Sequence, residues 1–121
     1  MKSQYKGIKR IIKAFGYSYD GLAAAFASEQ AFRQDLLFCA LNTILALILP
    51  FSLVFKALIV AANLFILFAE LVNTAIETII DRISEEYHSL SKKAKDIGSL
   101  LVLISFINEI IIWIFAVIDL F

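Results

Sequence analysis

The sequence predicts an all-α membrane protein with an N-terminal amphipathic surface helix and three transmembrane helices. Of its 121 residues, 61% are hydrophobic and the mean hydropathy is +0.86, whereas soluble globular domains are about half apolar. Four glycines and one proline leave little material for turns. The length allows a single domain, 1–121. A soluble globular domain is therefore excluded.

Three stretches are long and apolar enough to cross a bilayer, since a transmembrane helix needs about 20 such residues for roughly 30 Å of hydrocarbon. We place the spans at 36–55, 57–80 and 97–118. The first is uncharged, the second contains Glu70 and Glu77, and the third contains Glu109. A single cysteine, Cys39, allows neither an intrachain disulfide nor a cysteine-based zinc site.

The basic residues predict the orientation of the spans. They cluster before the first span and between the second and third: Lys2, Lys6, Lys9, Arg10, Lys13 and Arg33, then Arg82, Lys92, Lys93 and Lys95. By the positive-inside rule, the N-terminus and the loop 81–96 are cytoplasmic and the C-terminus is outside. Eleven basic and eleven acidic residues cancel, so no nucleic-acid partner is expected.

Residues 1–35 are expected to form interfacial helices. Apolar residues recur at helical spacing between basic ones: Ile8, Ile11, Ile12 and Phe15. Such a basic amphipathic helix lies in the membrane surface or serves as an orientation anchor. Gly16 and Gly21 predict a break, after which Asp20 caps a second helix that continues to Arg33.

A polar stripe runs along the second span. Glu70, Asn73, Glu77 and Asp81 follow one another at offsets of three, seven and eleven residues, which places them within roughly 80° on a helix. An ionised carboxylate at mid-bilayer costs on the order of 3 kcal/mol. Such groups can serve as hydrogen-bonding contacts between helices. They also suit Mg²⁺, which prefers oxygen ligands, and a general base.

Three helices in one chain do not easily surround such a stripe. Part of it would then face lipid, at a high free-energy cost. The sequence therefore predicts a homo-oligomer in which a neighbouring subunit covers the stripe. Glu109, in the third span, is expected to pair across the bundle with Asn108, Asn42 or Asn63.

The segment ELVNTAIETIID (Glu70–Asp81) resembles the signature E-x-x-N-[ST]-[SA]-x-E-x-x-V-D of the prokaryotic diacylglycerol kinase family. The one departure is Ile80, where the family usually has valine. EYHSLSKKAKDIGS (Glu86–Ser99) is similar to the family's cytoplasmic segment. RIIKAFGYS (Arg10–Ser18) and AFRQD (Ala31–Asp35) resemble its diacylglycerol kinase branch.

The resemblance implies a homotrimeric bundle in the bacterial cytoplasmic (inner) membrane. Such an enzyme transfers the γ-phosphate of MgATP to diacylglycerol, forming phosphatidic acid at the cytoplasmic face. Glu70 would be the general base, Asn73 would orient it or the phosphate, and Glu29 and Glu77 would hold Mg²⁺.

The resemblance also implies two sets of binding residues. The ATP-binding set is Arg10, Tyr17, Glu29, Glu77, Glu86, Tyr87, His88, Lys95 and Asp96. The lipid-substrate set is Ala14, Gly16, Ser18, Ala31, Phe32, Arg33, Gln34, Asp35, Lys56, Glu70, Ser99 and Trp113.

Some of these residues have simpler interpretations when taken alone. His88 is equally consistent with an exposed loop histidine, Trp113 with an interfacial anchor, and Glu29 with a solvated acid on an amphipathic helix. Well-known family members have tryptophan where this chain has Tyr19 and Phe26, which leaves the acyl-chain preference open.

Two other functions compete. Undecaprenol kinases are a related branch that shares the central motif and the K-K-A-K-D run found here at Lys92–Asp96. Small proton-coupled multidrug transporters have a similar length, but they have four spans and carry their acid in the first. The first span here has no acid.

Overall fold

The computed structural model describes residues 4–121, and within this range all regular structure is α-helical. Four helices follow one another: α1 (Gly7–Ser28), α2 (Gln30–Ile48), α3 (Leu53–Ile83) and α4 (Ser89–Asp119). The last three are long and apolar enough to span a membrane. The prediction of an all-α chain with three apolar spans is therefore confirmed. Lys2, which contributed to the orientation argument, lies outside the described residues.

The predicted break near Gly16 and Gly21 is wrong, because α1 continues through both residues and through Asp20. A glycine inside a helix costs only about 1 kcal/mol relative to alanine, which flanking turns can offset. The chain instead breaks at Glu29, whose backbone is extended (φ −113°, ψ 105°). Most of α1 is exposed, and its placement on a membrane surface stays a prediction.

Arg33 connects α1 to α2. Its Nη1 donates to the backbone oxygen of Phe26 at 2.6 Å and to that of Ala27 at 3.3 Å. Carbonyl groups in the last turn of a helix lack intrahelical partners. The guanidinium therefore supplies hydrogen bonds to two carbonyl groups at the end of α1. In doing so it fixes the angle between the two helices.

The first span is shorter at its far end than the predicted 36–55. α2 ends at Ile48, ahead of Pro50, and α3 begins at Leu53. Proline has no backbone N–H and cannot continue a helix, and the hydroxyl of Ser52 accepts from the N–H of Phe55 at 3.4 Å to cap α3. The four residues 49–52 therefore form the connection between α2 and α3, which corrects the predicted span of 36–55.

The predicted cytoplasmic loop 81–96 is largely helical. α3 continues to Ile83 and α4 begins at Ser89, so only 84–88 are non-helical. His88 caps α4, since its Nδ1 accepts from the N–H of Leu90 at 3.1 Å. Lys95 and Asp96 thus lie on a rigid helix.

α3 lies between α2 and α4 and supplies more buried side chains than any other helix, among them Ile59 and Ile66. Near the α2–α3 connection, Ile59 packs with Ala46, Phe51 and Ala116. The ring of Trp113 meets that of Phe51 edge-on, with centroids 5.3 Å apart. This cluster closes the end of the bundle that lies away from Glu70.

Halfway along the bundle, a polar cluster joins all three long helices. The Asn42 amide donates to Glu109 Oε1 at 2.5 Å. The side-chain amide of Asn63 lies 2.8 Å from Asn42 Nδ2 and 2.7 Å from the hydroxyl of Thr43, and it also contacts Glu109. The prediction that Glu109 pairs across the bundle is confirmed, with Asn42 as its partner.

Candidate active site

Glu70 is buried where α2 and α3 meet, with only 7% of its surface exposed. Asp35, in the second turn of α2, lies close enough to act electrostatically on it, and so do Glu29 and Glu77. Within residues 4–121, three other acids therefore act on Glu70, although no three of these carboxylates converge on one point. A single chain buries Glu70 on its own, so the argument that a neighbouring subunit must cover it is wrong for this residue.

Asn73 and Glu77 continue the stripe towards the end of α3, and both are half-buried. Asn73 Nδ2 donates to Glu77 Oε1 at 3.4 Å. Asn73 Oδ1 is buried and has no hydrogen-bond partner within residues 4–121. Within the predicted stripe, a hydrogen bond therefore joins Asn73 to Glu77, one and two turns along α3 from Glu70.

A cleft of about 450 Å³ opens beyond the stripe, between the end of α3 and the start of α4. Its walls include five of the predicted ATP-binding residues: Glu86, Tyr87, His88, Lys95 and Asp96. Lys95 Nζ lies 2.8 Å from Asp81 Oδ1, and Tyr87 is 80% exposed. Because α4 is helical from Ser89 onward, Lys95 and Asp96 face the same cleft as the preceding loop residues.

The predicted binding residues on α1 lie apart from this cleft. Arg10, Ala14 and Ser18 line a separate surface groove of about 340 Å³, and the Ser18 hydroxyl donates to the backbone oxygen of Ala14 at 3.0 Å. Gly16 and Tyr17 are exposed on the same helix. Arg10 and Tyr17 are not among the residues that line the cleft in the described part of the chain.

The predicted lipid-binding run at the start of α2 separates into different roles. Phe32 is 1% exposed and packs in the core. The Arg33 guanidinium hydrogen-bonds to the backbone at the end of α1. Ala31 and Gln34 are exposed. Asp35 is the member of this run that reaches Glu70.

The remaining predicted lipid contacts lie at opposite ends of the bundle. Ser99 is exposed on α4, near the stripe. Lys56 Nζ donates to the backbone oxygen of Leu47 at 2.9 Å, and Trp113 Nε1 donates to Glu109 at 3.0 Å. Fourteen helical residues separate Lys56 from Glu70, about 21 Å along the axis. The structure therefore does not bring Lys56 or Trp113 to the buried acid.

The acidic residues fit a magnesium ion that arrives with a nucleotide. No three metal-ligating side chains within residues 4–121 converge closely enough to hold an ion by themselves. Mg²⁺ is typically bound through one or two carboxylates together with substrate phosphates and water. Glu29 and Glu77 have hard oxygen donors of this kind, and both lie close enough to Glu70 to act on it electrostatically.

Two features of this region are not predicted from the sequence. Gly98 on α4 is buried against Asn73, and Asn63, expected only as a possible partner of Glu109, also lies on α3 two turns before Glu70. An isolated glycine inside a helical pattern is the sequence signal for such a contact, but Gly16 and Gly21 carry the same signal, and a β-carbon there would meet nothing within 4 Å. The partner of Gly98 depends on the register between α3 and α4.

A family profile for prokaryotic diacylglycerol kinase matches residues 16–117. The chain belongs to the prokaryotic diacylglycerol kinase family. It is 42% identical over 113 residues to a diacylglycerol kinase of Escherichia coli strain K12, covering 93% of each chain. It is 48% identical over 93 residues to one of Pseudomonas aeruginosa, covering 77% of this chain and 76% of that one.

A diacylglycerol kinase of Helicobacter pylori strain J99 is 39% identical over 108 residues, which cover 89% of this chain and 84% of that one. The resemblance found in the motifs is therefore confirmed, and so is the prediction that the chain is a lipid kinase. The family match begins at residue 16 and leaves out Arg10 and Ala14. The roles of individual residues stay predictions.

Proposed function

We propose that this chain transfers the γ-phosphate of MgATP to the hydroxyl of diacylglycerol, forming phosphatidic acid at the cytoplasmic face of the bacterial inner membrane. The observation that carries the proposal is the burial of Glu70 beside Asp35, with Asn73 and Glu77 leading from it to an open cleft. A lipid hydroxyl lies just below the head groups. The arrangement provides an acid at that depth and, about 15 Å further along α3, a cleft that begins at Ile80 and has room for a nucleotide.

Phosphoryl transfer requires in-line positioning, neutralisation of phosphate charge and a group that accepts the hydroxyl proton. In the proposed reaction the lipid oxygen bonds to the γ-phosphorus, the bond from that phosphorus to the bridging oxygen breaks, and ADP leaves. The hydroxyl proton passes to the Glu70 carboxylate. Asn73 orients the base or the reacting phosphate.

Glu29 and Glu77 would hold Mg²⁺, which neutralises charge on the ATP phosphates when it is bound. Lys95 contributes a positive charge at the cleft. The other nucleotide contacts that we propose are Arg10, Tyr17, Glu86, Tyr87, His88 and Asp96. Because Arg10 and Tyr17 lie on α1, outside the cleft, the proposal requires α1 of the same or a neighbouring subunit to approach it.

We further propose a homotrimer in which sites are shared between subunits. The exposed apolar surfaces of α2, α3 and α4 are available to lipid or to another subunit. α1 lies along the cytoplasmic membrane surface and presents Ala14, Gly16 and Ser18 to the lipid substrate. The N-terminus and the 84–88 loop are then cytoplasmic, and the C-terminus is outside.

A phosphorylation assay tests the proposal directly. Purified protein in mixed micelles is given radiolabelled ATP, Mg²⁺ and either diacylglycerol or undecaprenol, with Glu70→Gln as the control variant. Labelled phosphatidic acid that depends on Glu70 supports the proposal. Preferential labelling of undecaprenol would assign the chain to the related kinase branch, and no labelled lipid would overturn the kinase assignment.

A further inference from the structure

Gly98 leaves space that the Asn73 side chain fills. A β-carbon built at Gly98 would overlap Asn73 Oδ1 and lie 3.3 Å from Asn73 Cγ and 3.6 Å from Ile76 Cδ1. The same construction at Gly16 and Gly21 meets nothing within 4 Å. Of these three helical glycines, Gly98 alone is required by a neighbouring side chain.

Both polar atoms of the Asn73 amide are constrained, the nitrogen by Glu77 and the oxygen by packing against Gly98. Its Nδ2 donates to Glu77 Oε1 at 3.4 Å, whereas its buried Oδ1 has no hydrogen-bond partner in the described part of the chain. A buried acceptor without a partner is unfavourable, so packing must hold it in place. Because an amide group is planar, moving Oδ1 away from Gly98 also moves Nδ2 relative to Glu77.

We propose that Gly98 is a positioning residue for phosphoryl transfer. Its missing side chain lets α4 lie directly over Asn73, which keeps the Asn73 amide facing Glu77. Glycine is a poor helix former, and this contact accounts for its presence near the start of a long transmembrane helix. The inference rests on the proposed roles of Asn73 and Glu77, and it adds the α4 residue that sets their geometry.

A purely structural role makes a different prediction. If Gly98 only permits close approach of α3 and α4, a larger residue lowers the unfolding midpoint and leaves the chemistry of the folded protein unchanged. If it positions Asn73, the same change alters metal binding and turnover in protein that is still folded. The measurement must therefore separate stability from metal affinity.

The test compares Gly98→Ala with Gly21→Ala, the same substitution at an open helical position, in full-length purified protein. Binding of Mn²⁺ in the presence of a non-hydrolysable ATP analogue is followed by electron paramagnetic resonance, which needs no turnover. We expect Gly98→Ala to bind Mn²⁺ roughly tenfold more weakly and to lose about a hundredfold in kcat. Gly21→Ala is expected to remain within about twofold in both measurements.

A double variant tests whether Asn73 mediates the effect. In an Asn73→Ala background the colliding amide is absent, so Gly98→Ala should add no further loss of Mn²⁺ affinity. If Gly98→Ala alone does not fold, the double variant should fold because the space has been vacated. Failure of the double variant to fold would overturn the inference, as would an additive loss.

Unchanged Mn²⁺ binding and kcat in folded Gly98→Ala would likewise overturn the inference. Failure of the proposed function has a distinct signature, because the parent protein would then phosphorylate no lipid in the radiolabelled assay. The Mn²⁺ comparison between the parent protein and Gly98→Ala would still report whether Gly98 positions its neighbours.

Discussion

The Asn42 amide on α2 donates a 2.5 Å hydrogen bond to the Glu109 carboxylate on α4. Trp113 Nε1 donates to the same oxygen at 3.0 Å, and Glu109 is only 3% exposed. Polar pairs of this kind contribute to helix association where apolar surfaces alone do not distinguish one neighbour from another. The pair therefore specifies how α2 and α4 align across the face of α3.

Replacing Glu109 with alanine should destabilise the bundle. The substitution leaves the amide of Asn42 and the indole N–H of Trp113 without their acceptor, which we expect to lower the free energy of unfolding by about 1–3 kcal/mol. Unfolding in detergent can be followed through Trp113, the single tryptophan. Glu109→Gln keeps an acceptor oxygen and should lower the free energy of unfolding by less than Glu109→Ala does. An equal decrease in the two variants would contradict this account.

Glu70→Gln should abolish most phosphoryl transfer without disturbing the fold. An amide of nearly the same shape fills the buried site but cannot accept the hydroxyl proton, and a general base commonly contributes about 10²–10⁴-fold. The measurements are kcat in mixed micelles and the unfolding midpoint. Glu109→Gln is the matched control, since it neutralises another buried acid and should retain turnover. Parental turnover in Glu70→Gln would remove the base assignment.

Glu77→Gln should raise the Mg²⁺ concentration required for half-maximal activity. Loss of one carboxylate ligand weakens cation binding, and excess Mg²⁺ should restore part of the rate. A Mg²⁺ titration at saturating ATP measures the shift. Asp119→Asn changes an exposed acid at the end of α4 and should leave the titration unchanged. An identical Mg²⁺ dependence in Glu77→Gln and the parent would exclude Glu77 as a ligand.

Lys95→Ala should raise the KM for MgATP more than the KM for lipid, because Lys95 lines the cleft next to Asp96. Its ion pair with Asp81 is solvent-exposed, and such pairs contribute little to stability. The unfolding midpoint should therefore remain unchanged. Lys93→Ala removes a nearby exposed charge and should leave both KM values as they are. If the two variants raise the KM for MgATP equally, the increase reflects the loss of any nearby positive charge and not a specific contact made by Lys95.

Much of the candidate site was predictable because it depends on spacing along one helix. The angular positions of Glu70, Asn73 and Glu77 follow from helical geometry alone, and α3 is continuous through all three. Five residues of the predicted ATP-binding set line one cleft because the 84–88 loop and the start of α4 are adjacent in sequence, and their role in ATP binding stays a prediction. The resemblance named the same residues from their motifs.

Contacts between helices were harder to predict. The wrong break at Gly16 and Gly21 comes from giving isolated glycines too much weight inside a helix. The span that extends past Pro50 comes from following hydropathy through a residue that cannot continue a helix. Lys56 and Trp113 were grouped with Glu70 through the resemblance, although they lie near the other end of the bundle. Distances between helices depend on register, which composition and periodicity do not contain.

By itself, the sequence determined that this chain forms apolar helices of membrane-spanning length and that one of them carries acids along a single face, because hydropathy and helical period are local properties. Only the tertiary structure decided that Asp35 meets Glu70, that Asn42 meets Glu109 and that Gly98 covers Asn73. Each of those contacts joins residues from two helices, and it exists only once side-chain packing has fixed how the helices are rotated and aligned.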